Sequence, residues 1–144
     1  MFYTKLAADG SDLPADATDH KAVRVVNTLP GHSMHSLIVT AHKAPEEMKW
    51  EDAKKWAESL DINGWSWRLP TVEEAMLIPD RSKYPAIDVS FFPDFEGYEW
   101  IWTSTPDAED PSDDAWFVYL HVGHVFRGTQ TNRRYVRAVR AGQF

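Results

Sequence analysis

Ala115-Trp116-Phe117-Val118-Tyr119-Leu120-His121-Val122-Gly123-His124-Val125-Phe126-Arg127-Gly128-Thr129 reads as two strands meeting at a hairpin. Aromatic and β-branched residues favour a pleated, half-buried surface, and Gly123 supplies the turn between the runs. Residues 115–120 are nearly all apolar, so both faces of that strand are expected to be covered. Two further strands are expected beside the hairpin, at 100–104 and 135–140, with the acidic stretch 106–114 joining the first to it. The C-terminal part of the chain is therefore an antiparallel sheet.

Upstream the period changes. Trp50, Ala53, Trp56, Ala57 and Leu60 recur at helical spacing, with Glu51, Asp52, Lys54, Lys55 and Glu58 on the other face, which predicts an amphipathic helix. Asn63-Gly64 tolerates the positive φ of a turn beyond its end. Pro70-Thr71-Val72-Glu73-Glu74 is a capping box, and the helix it starts is expected to run to about residue 78 and stop before Pro79. Residues 80–99 carry Pro85, Pro93 and Gly97 and read as a long loop packed by Phe91, Phe92, Phe95 and Tyr98. Residues 22–27 and 37–40 are short strand candidates around Pro30-Gly31. Residues 1–22 read as an irregular arm. The order of strand, helix, helix, loop and antiparallel sheet is α+β. It is expected as one compact domain, with an N-terminal arm and first strands over 1–45 and the main body over 46–144.

A chain of 144 residues with 43% hydrophobic residues, seven Trp and 26% charged residues is too apolar for disorder and of a size for one domain. It has no basic leader and no run of eighteen apolar residues, so neither export nor membrane insertion is expected; cytoplasmic or virion-associated placement is. The absence of cysteine removes a thiol nucleophile, a thiolate metal site and a disulfide framework. A net charge of −7 argues against direct nucleic-acid binding. The charge is divided along the chain: Arg127, Arg133, Arg134, Arg137 and Arg140 stand in a C-terminal stretch without Asp or Glu. These arginines either pair with the protein's own carboxylates or form a basic patch for an anionic ligand.

Trp50-Glu51-Asp52-Ala53, Gly64, Trp67-Arg68-Leu69-Pro70-Thr71 with Glu74, Trp102-Thr103-Ser104-Thr105, Ala115-Trp116-Phe117-Val118, Gly123 and Val136-Arg137-Ala138-Val139-Arg140 together resemble the Lcl C-terminal domain family over about residues 50 to 142. That is a bacterial and phage family of unknown function. It looks like a branch of the C-type-lectin-like fold, shared with formylglycine-generating enzymes and with variable receptor-binding proteins of phages. The resemblance implies two helices flanking a twisted antiparallel sheet, with a loop-rich surface used for binding. The first 45 residues are expected to match poorly. Ala57 and Ala138 stand where relatives often carry Cys, so the disulfide of those relatives is absent. The catalytic cysteines of the oxidases, and the Glu-Pro-Asn and Trp-Asn-Asp signatures of calcium-dependent sugar binding, have no counterpart.

Arg68, Arg137 and Arg140 lie among apolar residues and are expected to be structural, paired with Glu74, Asp52 or a loop acid, on a scaffold that includes Trp50, Trp67 and Thr71. His32 with His35, and His121 with His124, have a metal-like spacing but no helix to carry it; His121 and His124 are expected as exposed hairpin histidines that make binding there pH-sensitive. Asp107, Glu109, Asp110, Asp113 and Asp114 could hold calcium, yet lack the central Gly and terminal Glu of a helix-loop-helix site. A solvated acidic loop is the expectation, with no cofactor. Gly31-His32-Ser33-Met34-His35 lacks the second Gly of a nucleophile elbow. Trp50, Trp56, Trp67, Trp102 and Trp116 are expected in the core, leaving Trp65 and Trp100 more exposed.

The expectation is a non-enzymatic binding module that recognises a protein or an anionic glycan, using His121, His124, Arg127, Thr129, Arg133 and Arg134 with Tyr98 and the loop of Asp110, Asp113 and Asp114. One alternative is a small acidic phage or prophage protein that inhibits a host defence or nucleic-acid enzyme by occupying its basic surface. Another is a virion or tail component, for which a homo-oligomer is the natural state.

Overall fold

The computed structural model describes residues 3–28 and 34–141. Among them the elements run β1 (Tyr3–Leu6), β2 (Ala22–Thr28), β3 (Met34–Thr40), α1 (Trp50–Ser59), α2 (Val72–Ala75), β4 (Trp100–Pro106), β5 (Asp114–Tyr119), β6 (His124–Thr129) and β7 (Val139–Ala141). All strand pairing within the two sheets is antiparallel, in the orders β1-β2-β3-β7 and β4-β5-β6. The α+β class holds, with two small sheets in place of one. No helix among the described residues is long and apolar enough to cross a membrane.

The first strand corrects the expected irregular arm. β1 pairs Tyr3 with Val25 and Leu6 with Ala22, and Tyr3 and Leu6 are buried. Lys5 is buried too; its ammonium donates to the Ala17 carbonyl and lies 5.3 Å from the Phe91 ring centre. The Tyr3 hydroxyl donates to the carbonyl of Ile78. Burial is the main cause pushing its phenol far above the ordinary range.

Local signals do well in the helical part. Helix α1 buries Trp50, Ala53 and Ala57, and Lys54 lies 3.8 Å from the Trp50 ring centre. Asn63 and Gly64 take φ of 58° and 65° just beyond it. Helix α2 is shorter than expected. Its capping box is complete: the Glu74 amide donates to Thr71 Oγ1 at 3.2 Å and the Thr71 amide to Glu74 Oε1 at 2.9 Å. Past Ala75 the chain tightens, with Leu77 bonding to Glu74 and Ile78 to Ala75, because the residue before Pro79 avoids the helical region. Replacing Thr71 with Ala is expected to cost about 1 kcal/mol, read from the urea midpoint. Burial raises the Glu74 carboxyl, but bonds from Arg68 and Thr71 outweigh it and hold the group below its ordinary range. Its contribution is present above the unfolded pKa and is lost as pH falls through the lower folded one.

The segment expected as a strand over 135–140 forms a ladder only at Val139–Ala141. Its earlier part crosses from one sheet to the other. Tyr135 donates to Trp100 and its carbonyl accepts from Trp102, whereas Val139 exchanges bonds with Arg68 and pairs with β3. The core has two parts. One packs Val23, Val39, Ile78, Phe92, Ile101, Val118 and Val139 between the sheets. The other sets Ala53, Ala57, Trp67, Trp102, Phe117 and Ala138 against one another on the α1 side. Trp56 and Trp116 are only partly buried, to the same class as Trp65 and Trp100, so the expected division of tryptophans holds for Trp50, Trp67 and Trp102. In the loop before β4, Phe91 and Phe92 are buried and Phe95 packs on them, but Tyr98 is 79% exposed and takes no part.

Candidate functional site

Strand alternation puts Trp100 and Trp102 of β4, Phe117 and Tyr119 of β5, and His124 and Phe126 of β6 on one face of the three-stranded sheet. The register sets Trp100 opposite Tyr119, Phe117 opposite Phe126, and Tyr119 opposite His124. Trp100 stacks with Phe117 at 5.5 Å and with Phe126 at 5.4 Å between ring centres. The inner end of this face is closed by Arg134, whose guanidinium lies 3.5 Å from the Phe117 ring centre and 5.2 Å from that of Trp102. Gly128 leaves room for it, since a Cβ there would come 3.0 Å from the Arg134 guanidinium. The outer end is open: Phe126 is 39% exposed.

Tyr98, Trp100, Arg133, Arg134, Tyr135 and Glu47 line a groove of about 260 Å³ at this edge, large enough for a side chain rather than a whole drug-sized ligand. It continues through Glu47, Arg133 and Tyr135 into a wider groove that adds Lys43, Glu46, Asp94 and Glu96. Tyr135 donates to Glu96 Oε2 at 2.7 Å. That bond pushes its phenol up to about 12 and, from the other side, holds the Glu96 carboxyl below its ordinary range. Replacing Glu96 with Gln is expected to bring one tyrosine titration back toward the ordinary pKa near 10, measured by tyrosinate absorption. The Tyr135 contribution to stability is present below the unfolded pKa and is lost as pH rises through about 12.

Behind the wider groove, Arg137 and Glu99 are both fully buried. Arg137 donates to Glu99 through Nε at 2.6 Å and Nη2 at 2.9 Å, to Asp94 at 2.9 Å, and to the Ala41 carbonyl at 2.9 Å. Burial works against its charge, but the bonds and charges of Glu99 and Asp94 prevail and raise its pKa. Lys43 extends the cluster to the surface by donating its amide to Asp94 at 2.8 Å.

The expected site residues divide into three places. Tyr98, Arg133 and Arg134 share the groove, with His124 beside it through its edge-on contact with Phe126 at 6.4 Å. Arg127 lies elsewhere and is spent internally, on Asp107 at 3.3 Å and Glu109 at 3.2 Å. Thr129 pairs with Asp114 at the same end. The acidic loop there is wound on itself, with the amides of Asp110 and Asp114 bonded to Asp107 and Asp110, and Gln130 stapling the carbonyls of Pro111 and Asp114. Asp110 is raised by desolvation and by its neighbours Asp113, Asp114 and Asp107. His121 goes to a third place, at the margin of the aromatic face: it stacks on Tyr119 at 5.7 Å between ring centres and is bonded through Nε2 to the Tyr84 hydroxyl at 3.0 Å, which leaves it half-buried rather than exposed. Among the described residues no three His, Asp or Glu converge as metal ligands would. The side chains of His32 and His35 lie outside the described residues.

Of the expected structural arginines, Arg137 is buried, and Arg68 grips Glu74 at 2.5 and 2.8 Å although its side chain is 45% exposed. Arg140 departs from expectation: it has no ion pair among the described residues and instead lies 4.2 Å from the Trp65 ring centre. Trp50 and Trp67 anchor through their indole N–H groups, to the carbonyls of Thr103 and Ile62. Glu47, Glu96, Tyr135 and Lys43 were not foreseen as groove residues. No spacing links them, because the fold alone brings residues 43–47, 94–100 and 133–135 together.

The family model of the Lcl C-terminal domain matches residues 16–140. The chain belongs to that family. The match to the Lcl C-terminal domain begins well before residue 50, taking in β2 and β3, which were expected to fall outside it. Among curated proteins none matches the chain. Ala57 and Ala138 are both fully buried in the same core cluster of this Lcl C-terminal domain.

Proposed function

We propose that this domain is a non-enzymatic binding module of C-type-lectin-like type that recognises a protein partner through the Tyr98–Trp100–Phe126 face and the groove of Arg133. The observation that carries this reading is the open aromatic surface: Tyr98 of the groove and Phe126 of the ladder are 79% and 39% exposed, beside Arg133, which has no ion pair among the described residues. Exposed aromatic residues and arginine are the types that anchor protein interfaces. The grooves there hold Glu46, Glu47, Asp94 and Glu96 against Lys43, Arg133 and Arg134, a mixed lining that suits a protein better than an anionic glycan. Arg127, spent on Asp107 and Glu109, offers little to either.

Immobilised wild-type chain and a Tyr98→Ala/Phe126→Ala/Arg133→Ala variant, offered to a host or producer lysate, test the reading. Capture is expected to fall at least about tenfold in the variant, as the loss of several interface anchors should produce, with the melting transition within about 2 °C. Equal capture by both proteins removes this face from consideration. An acidic inhibitor of a basic enzyme surface, acting in the cytoplasm, is the second reading. The exposed carboxylates of Asp110 and Asp113 favour it, and such a partner would be released steeply by salt.

A further inference from the structure

We infer that the groove lined by Gly64, Trp65, Ser66, Arg68, Arg140 and Ala141 binds a single carboxylate, supplied by the C-terminus or an acidic side chain of another protein. This groove is separate from the aromatic face proposed above, and the inference does not depend on that reading.

Of the eight arginines in this chain of net charge −7, Arg24, Arg68, Arg127 and Arg137 pair with carboxylates, whereas Arg81, Arg133 and Arg134 have no ion pair among the described residues. Arg140 has none among the described residues, and no Asp or Glu lines its groove. Its guanidinium is nonetheless held in place. It is 4.2 Å from the Trp65 ring centre, and its Nε points to the Ala141 carbonyl at 3.4 Å, which leaves the terminal pair of nitrogens for a ligand. Trp65 is itself confined. Its ring packs at 6.1 Å from Trp67 and against Gly10, where a Cβ would come within 2.7 Å of Cη2. An arginine fixed in this way loses little side-chain freedom when it binds.

The charge balance selects the ligand. Arg68 is neutralised by its paired bond to Glu74, so the groove presents one uncompensated positive charge, that of Arg140. A carboxylate matches it with one charge and two coplanar oxygens, the geometry a guanidinium fork takes best. A phosphate monoester brings close to two charges, and the second would face Glu74 behind Arg68. The volume of about 380 Å³ admits the anion and the residue bearing it.

The full chain, labelled with nitrogen-15, is titrated with acetyl-dialanine, its amide, acetyl-glutamate diamide, inorganic phosphate and inorganic sulfate, following the Trp65 indole and Arg140 side-chain signals. Saturable shifts with acetyl-dialanine identify a C-terminus as the source, and with the glutamate probe an acidic side chain; the dialanine amide should give none. Arg140→Gln is expected to raise the Kd about tenfold, the scale of one charged hydrogen-bonding partner. Arg140→Lys keeps the charge without the fork and should fall between, and it serves as the folded control if the Gln variant is unstable. Arg133→Gln should leave the Kd unchanged. The inference is overturned if neither carboxylate saturates, if phosphate or sulfate binds more tightly than both, or if Arg133→Gln weakens binding as much as Arg140→Gln.

Discussion

Replacing Glu99 with Ala is expected to lower stability by about 3–5 kcal/mol, because it leaves the Arg137 guanidinium charged, dry and short of its main partner. Both side chains are fully buried, and two of the bonds that satisfy Arg137 end on Glu99. Asp94 and the Ala41 carbonyl remain, which keeps the loss finite. Urea denaturation gives the number. The double variant Glu99→Leu/Arg137→Met should recover most of it, since removing both charges also removes the desolvation cost. If the single and double variants are equally unstable, the loss reflects packing rather than an orphaned charge.

Trp102→Ala is expected to cost about 3–5 kcal/mol, the range for deleting a fully buried large aromatic. Trp102 has no exposed surface, packs edge-on against Phe117 at 5.9 Å, and donates its indole N–H to the Met48 carbonyl at 2.8 Å. Arg134 rests over the same ring, so the cavity would loosen the guanidinium that closes the inner end of the aromatic face. Binding should therefore weaken in this variant even at temperatures where it is folded. Trp102→Phe, which keeps much of the volume and loses the hydrogen bond, should show a smaller fall in the denaturation midpoint.

How much of this was legible in the sequence follows from how local each interaction is. Thr71 and Glu74 cap their helix within one turn, and Asn63-Gly64 turn the chain by their own backbone preference, so both were readable. The hairpin at Gly123 was readable for the same reason. Strand β1 was not: four residues have too short a pattern, and their burial depends on Ile78 and Val25 far along the chain. For the C-terminal arginines the sequence offered two fates. The structure divides them, giving Arg127 and Arg137 to the protein's own carboxylates and leaving Arg133 and Arg140 without an ion pair among the described residues. Only tertiary placement distinguishes these outcomes, because all four sit in one acid-free stretch.

The pairing of β7 with β3 bears on how the chain is made. Leu37 faces Ala141 and Val39 faces Val139, and Arg137 bonds a carbonyl 96 positions earlier. Strands β1, β2 and β3 are synthesised first and then wait, with one side of β3 uncovered, until nearly a hundred further residues have left the ribosome. Such distant closure slows folding and prolongs exposure of an adhesive edge. A ribosome-stalled chain ending at residue 130 should accordingly be protease-sensitive throughout, including the strands already complete in sequence, and become resistant only when residues 137–141 emerge.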